Sequence, residues 1–194
     1  MGFDLTRDCQ RAFRALLDAH SYPGRVFDLA TEARLVSLDS QLPKPLIVII
    51  LCLLDIETSF CAESADGSRD EAFVAQLCGA RPTTVNEADF IFIAGAGIPL
   101  APAIAEAKAG DLVDPHKGAT IVAEVASLEA GGVLRLSGPG IDGQARLGVG
   151  RDAEWIAARA RKNREFPLGI DLLFYDSEAR IAALPRTTRI AEGE

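Results

Sequence analysis

The stretch "LSGPGIDG", Leu136 to Gly143, decides how this chain is read. Gly138, Gly140 and Gly143 have the G-x-G-x-x-G spacing of a dinucleotide-binding loop. Such a loop leaves a buried strand and opens at once into a helix, whose N-terminus faces the pyrophosphate. The strand is present as "VLRL", but "QARLGVG" follows, with two more glycines and no helical stripe. The next helical pattern begins near Arg151, too late to serve. Glu165 lies about twenty residues on, but before a proline rather than at the end of a second parallel strand. The glycines therefore read as a turn, and the chain is not a doubly wound nucleotide-binding fold.

Working outward, "ATIVAEVASL" and "GGVLRLSG" alternate on either side of "EAGG", which predicts a hairpin. "IDLLFYD" and "ARIAALP" predict a second hairpin across "SE". "RDAEWIAARARKNRE" between them predicts a helix with Trp155 and Ile156 on its apolar side. Upstream, "DLTRDCQRAFRALLDAH" sets Leu5, Cys9, Phe13, Leu16 and Leu17 at helical spacing and ends at Pro23 and Gly24. "VFDLA" predicts a short strand, and the apolar run Leu46–Leu54 fits either a buried helix or a buried strand. "SFCAE" reads as a strand, and "SRDEAFVAQLCGA" as a helix capped by Ser68 and stopped by Gly79. "ADFIFIAGAG" predicts a strand with a glycine exit, and "LAPAIAEAKAG" a helix ending at Gly110. The sum is an α/β layered sandwich with a mixed sheet, expected as one domain over residues 1–194.

Composition narrows the chemistry. The 194 residues carry a net charge of −8, which disfavours a general nucleic-acid role. Of the 20 basic residues only Lys44, Lys108, Lys117 and Lys162 are lysines, so 16 are arginines. Arginine suits bidentate contacts to carboxylate or phosphate. Cys9, Cys52, Cys61 and Cys78 include no C-x-x-C, and with His20 and His116 as the sole histidines no Cys/His metal site is expected. Reduced, packed thiols fit a cytoplasmic protein. The run "PLIVIILCLL" is about half a membrane span, so no membrane role is expected, and "MGFDLTRD" lacks a signal peptide's apolar core.

Two regions offer chemistry. "DPHKGAT" (114–120) has the D-x-H-K look of a pyridoxal-phosphate lysine. A free-standing pyridoxal-phosphate transferase using Lys117 is accordingly an alternative function, one that demands a desolvated amine. The bland reading is a loop with a solvated Lys117. "FPLGIDLLF" and "ALPRTTRI" bring Asp171 to the start of one hairpin strand and Arg186, Thr187, Thr188 and Arg189 to the end of its partner. Arginine with hydroxyls is a phosphate-competent set; the structural reading is an Asp171–arginine pair. Arg135, in the strand before the glycines, joins Asp171, Arg186, Thr187 and Thr188 as a ligand or partner candidate. No Ser-His-Asp or Cys-His set is evident, so no catalytic residue is named and no cofactor is expected.

"FRALLDAHSYPG" (13–24), "LLDIET" (53–58), "DPHKGAT", "LRLSGPGI" (134–141), "FPLGIDLLF" (166–174) and "LPRTT" (184–188) follow one another along nearly the whole chain. In this order they resemble the PhnH subunit of the bacterial carbon–phosphorus lyase system, which serves organic phosphonate catabolism. The resemblance implies a homodimer working in a core complex with PhnG, PhnI and PhnJ subunits, where PhnJ carries the iron–sulfur radical chemistry. It implies a non-catalytic or co-catalytic part in moving an alkylphosphonate onto ribose triphosphate from ATP, with release of adenine. This is the ribose 1-methylphosphonate 5-triphosphate synthase step. It also implies a fold similar to pyridoxal-phosphate-dependent transferases without their cofactor site. The motif positions carried over are Pro23, Gly24, Gly118, Thr120, Gly138, Gly140, Pro167, Gly169, Asp171, Pro185, Arg186, Thr187 and Thr188. Most of these look structural; the last cluster is the one placed to touch a ligand or partner.

Overall fold

Phe60 and Ala62 pack on one side of a sheet and Cys61 on the other; the same alternation separates Phe92 from Ile91 and Ile93, and Val122 from Ile121 and Ala123. Strands buried on both faces are near-continuous apolar runs, and such strands form the parallel centre of α/β sheets. The computed structural model, which describes residues 2–191, shows that centre. Strands β1 (Phe27–Asp28), β2 (Ser59–Ser64), β3 (Arg81–Pro82), β4 (Phe90–Ala94), β5 (Thr120–Glu124), β8 (Asp171–Tyr175) and β9 (Arg180–Leu184) form one sheet. Its order is β1-β9-β8-β5-β4-β2-β3. The run from β3 to β8 is parallel, β9 is antiparallel to β8, and β1 is antiparallel to β9. The mixed sheet expected from the sequence is thus present.

Helices α1 (Arg7–Ser21), α2 (Ala30–Leu35), α3 (Lys44–Leu53) and α4 (Gly67–Cys78) contribute to the core on one face. The ambiguous apolar run is α3: Pro45 sits in the first turn, where no intrahelical N–H is needed. Leu46 through Ile50 are all buried, as an all-round apolar helix must be. The other face is covered by α5 (Leu100–Glu106), α6 (Glu154–Lys162) and a second, three-stranded sheet. That sheet has the order β10-β6-β7, from β6 (Gly132–Ser137), β7 (Ala145–Val149) and β10 (Arg189–Ala191). Trp155 of α6 meets Phe174 edge to face at 5.2 Å in this second core.

Several local expectations are corrected. β5 does not form a hairpin with β6; it lies between β4 and β8, because both its faces are apolar. The chain leaves the main sheet after Glu124, and the true hairpin is β6–β7, fully antiparallel. On α1 the buried residues are Asp8, Ala12, Leu16 and Ala19, while Phe13 and Leu17 are 43% and 50% exposed. Small residues let α1 lie close, and Asp8 is made tolerable by the Asp4 N–H and by Arg11. Ser68 does not cap α4, which starts at Gly67; Gly79 does end it, at φ +73°. α5 stops at Glu106, short of Gly110.

Candidate functional site

The opening loop is a turn with nothing helical after it: Gly138, Gly140 and Gly143 all have positive φ, and β7 follows. Its glycines are demanded by neighbours. A Cβ on Gly140 would sit 2.1 Å from the Ser21 carbonyl oxygen, and one on Gly138 would sit 2.9 Å from that of Thr187. The loop therefore wedges between "SYPG" and "PRTT".

The hairpin β8–β9 brings Asp171 and Arg186 together. The Arg186 backbone N–H donates to Asp171 Oδ1 at 2.6 Å, and its Nη2 donates to Oδ2 at 2.6 Å. Nε lies 3.2 Å from Oδ2, and Nη1 donates to the Pro115 carbonyl at 2.7 Å. All three guanidinium nitrogens are engaged, so Arg186 ties the "DPHKGAT" loop to the start of β8. Gly118 permits this approach: a Cβ there would lie 2.2 Å from the Gly169 oxygen and 2.8 Å from Arg186 Nη1. Beneath, Arg159 of α6 donates to the Pro185 carbonyl at 2.6 Å and to that of Thr188 at 3.0 Å. Burial pulls the Arg159 pKa down to about 10. Thr188 is buried, with its hydroxyl unpartnered among the described residues.

Above this framework lies a cleft of about 570 Å³, lined by Gly138, Pro139, Asn163, Arg164, Phe166, Arg186, Thr187 and Arg189. Of the sequence candidates, Arg186 and Thr187 line it; Asp171 braces Arg186, and Thr188 is buried next to Thr187. Arg135 is elsewhere, on the exposed side of β6 opposite Arg146 and Ala191. The reading from sequence missed Arg164 and Phe166, which sit in the turn between α6 and β8; Phe166 is 70% exposed, an unusual position for an aromatic ring. Guanidinium groups beside a threonine hydroxyl and an aromatic edge can hold an anion with an organic substituent.

Lys117 lies outside this cleft, in a short 3-10 turn Pro115–Lys117. Its side chain is 59% exposed and its ammonium donates to Asp114 at 2.5 Å. That bond raises the Lys117 pKa. A Schiff-base lysine requires the reverse, a desolvated amine with a lowered pKa, so the geometry does not support the pyridoxal-phosphate alternative. Among the described residues no three His, Cys, Asp or Glu side chains converge as a metal site. The cysteines are free thiols, and burial pushes Cys61 and Cys78 each up to about 11. Among the same residues no helix is long and apolar enough to cross a membrane.

The sequence pattern described as "Bacterial phosphonate metabolism protein (PhnH)" matches residues 2–191. This chain belongs to the PhnH family. A relative from Stutzerimonas stutzeri, named as C-P lyase subunit protein HtxG, is 35% identical over 182 residues, covering 93% of this chain and 85% of the relative. Another, from Rhizobium meliloti (strain 1021), is named alpha-D-ribose 1-methylphosphonate 5-triphosphate synthase subunit PhnH. It is 30% identical over 187 residues, covering 94% of this chain and 90% of that protein. PhnH membership bears out the ordered blocks, four of which ("SYPG", "LSGPG", "FPLG" and "PRTT") meet at the cleft and its framework.

Proposed function

We propose that this chain is a subunit of a carbon–phosphorus lyase assembly and assists transfer of an alkylphosphonate onto ribose triphosphate from ATP, with release of adenine. The observation that carries this reading is the family match over residues 2–191, backed by two relatives whose names make them subunits of such systems. The part assigned to this chain is binding and positioning. Its cleft offers Arg164, Arg189 and Thr187 to a phosphate or phosphonate, over a floor braced by Asp171 and Arg186. Among the described residues no histidine lines that cleft, which supports a binding rather than a proton-transfer role for it.

In this proposal the chain acts in the cytoplasm as a homodimer beside PhnG, PhnI and PhnJ subunits. The exposed Phe13 and Leu17 on the outer side of α1 support a self-contact there. The five-strand parallel run is also consistent with a one-domain, transferase-like fold, to be tested by superposition of the seven-stranded sheet on such enzymes. Co-expression with the other core subunits and growth on methylphosphonate as sole phosphorus source test the function. Stable co-purification, with growth lost on deletion of the gene and restored by the wild-type chain, is expected. A chain that never co-purifies, and whose deletion leaves growth intact, overturns it.

A further inference from the structure

The three-stranded sheet has one face in the core and one in solvent. Leu134, Leu136, Leu147 and Val149 point inward and are buried. Strand alternation then sends Val133, Arg135, Arg146 and Arg189 outward, and all four are exposed. The register sets Arg135 directly opposite Arg146 on one side and Ala191 on the other. Arg189 opposes Ser137, which makes it the diagonal neighbour of Arg135. Like charges directly opposite each other weaken a sheet. Arg11 pairs with Asp8 and Glu32, and Arg180 with Asp176 and Glu129. Arg7, Arg14, Arg25, Arg34, Arg81 and Arg161 stand without an ion pair among the described residues, but only this face is shown to set such arginines opposite or diagonal to one another across paired strands. Arg135, Arg146 and Arg189 have no ion pair among the described residues, in a chain whose acidic residues outnumber its basic ones 28 to 20.

Three features choose the occupant. Arg135 and Arg146 lie outside the cleft lining, on an open face without walls to desolvate a small anion. Val133, 62% exposed and opposite Gly148, adds an apolar contact beside the charges. Arginine with an apolar neighbour is the composition of a protein interface, and the net charge of −8 repels nucleic acid. We infer that the outer face of β6 and β7, flanked by β10, docks a carboxylate-rich surface of a partner subunit, with Arg135 and Arg146 paired to its acids and Val133 packed against it, while Arg189 at its margin serves the cleft. This rests on the reading of the chain as a subunit, and it adds which face meets a partner and what chemistry that partner presents.

The test uses the full chain co-expressed with the other core subunits, and measures dissociation of the assembly at low and moderate salt. In R135E the new carboxylate faces Arg146, so the melting temperature holds or rises. Affinity for the assembly nonetheless falls by about ten-fold or more, and its salt dependence flattens. That opposite movement of stability and affinity separates docking from a role in the fold. R146E, with a carboxylate opposite Arg135, behaves alike. Wild-type assembly with R135E and R146E both within about two-fold of it overturns the docking face and leaves the subunit reading standing. Failure of the wild type to assemble overturns both. Tripolyphosphate is the control ligand: binding to the wild type but not to R135E, with assembly unaffected, makes the face a small-anion site and also overturns the inference.

Discussion

Gly140 combines a φ of +80° with a backbone carbonyl 2.1 Å from where a Cβ would stand. Neither constraint yields to a side-chain rotation, since the obstacle is the Ser21 backbone. Gly140→Ala is expected to cost about 1–3 kcal/mol, read as a lowered urea midpoint. Asp171→Asn leaves the Arg186 guanidinium without its counter-charge while both side chains are mostly buried. A loss of about 2–3 kcal/mol is expected, below the full cost of a wholly buried pair because some exposure remains. A double-mutant cycle with Arg186→Met isolates the coupling. Both positions were legible from local rules: a G-P-G turn needs positive φ, and a short hairpin brings its outer ends together. Arg164 and Phe166 were not legible, because what makes them cleft residues is the approach of Gly138 and Thr187 from distant segments.

At the scale of elements, β2 and β4 are joined by a polar bond at their N-terminal ends. Asp89, just before β4, accepts from the Ser59 backbone N–H at 2.9 Å and from its hydroxyl at 2.6 Å. Lys108 donates to the other oxygen at 2.5 Å. Partial burial alone would raise the Asp89 pKa; the bonds from Lys108 and Ser59 outweigh it and hold the carboxyl below the ordinary aspartate value of 3.8. A folded-state pKa below the unfolded one stabilises above the unfolded value, and that contribution vanishes as pH falls through the folded value. The stability gap between wild type and Asp89→Asn is therefore expected to be full at neutral pH and to close below about pH 4, as measured by urea titration at each pH. Strand and helix identities along this stretch could be read from period alone. Pairing could not: whether β5 joins β6 or β8 depends on which faces are buried, and that is settled by α5, α6 and the second sheet.

For the whole molecule, the distribution of charge matters more than its sum. A net charge of −8 coexists with an exposed face bearing Arg135, Arg146 and Arg189, so the chain is electrically two-sided. Association with an acidic partner is expected to be steered, with an on-rate that falls about ten-fold or more from low to moderate ionic strength while the off-rate changes little. Stopped-flow mixing at a series of salt concentrations measures this. Composition alone hid the feature, because summing charges discards the alternation that gathers these arginines on one side of a sheet. The two-core architecture was similarly half visible: the apolar strands announced a buried sheet, but not that a second sheet would cover one of its faces.

The last described strand, β10, closes a sheet whose other members were made long before it. Residues 132–149 leave the ribosome while the strand that pairs with the free edge of β6 is still unmade. Until synthesis passes residue 191, β6 shows an open hydrogen-bonding edge and the cleft lacks the wall that holds Arg189. Pairing of β10 thus does two things at once: it sets Arg189 in the cleft wall and closes the open edge of a hairpin that already carries Arg135 and Arg146.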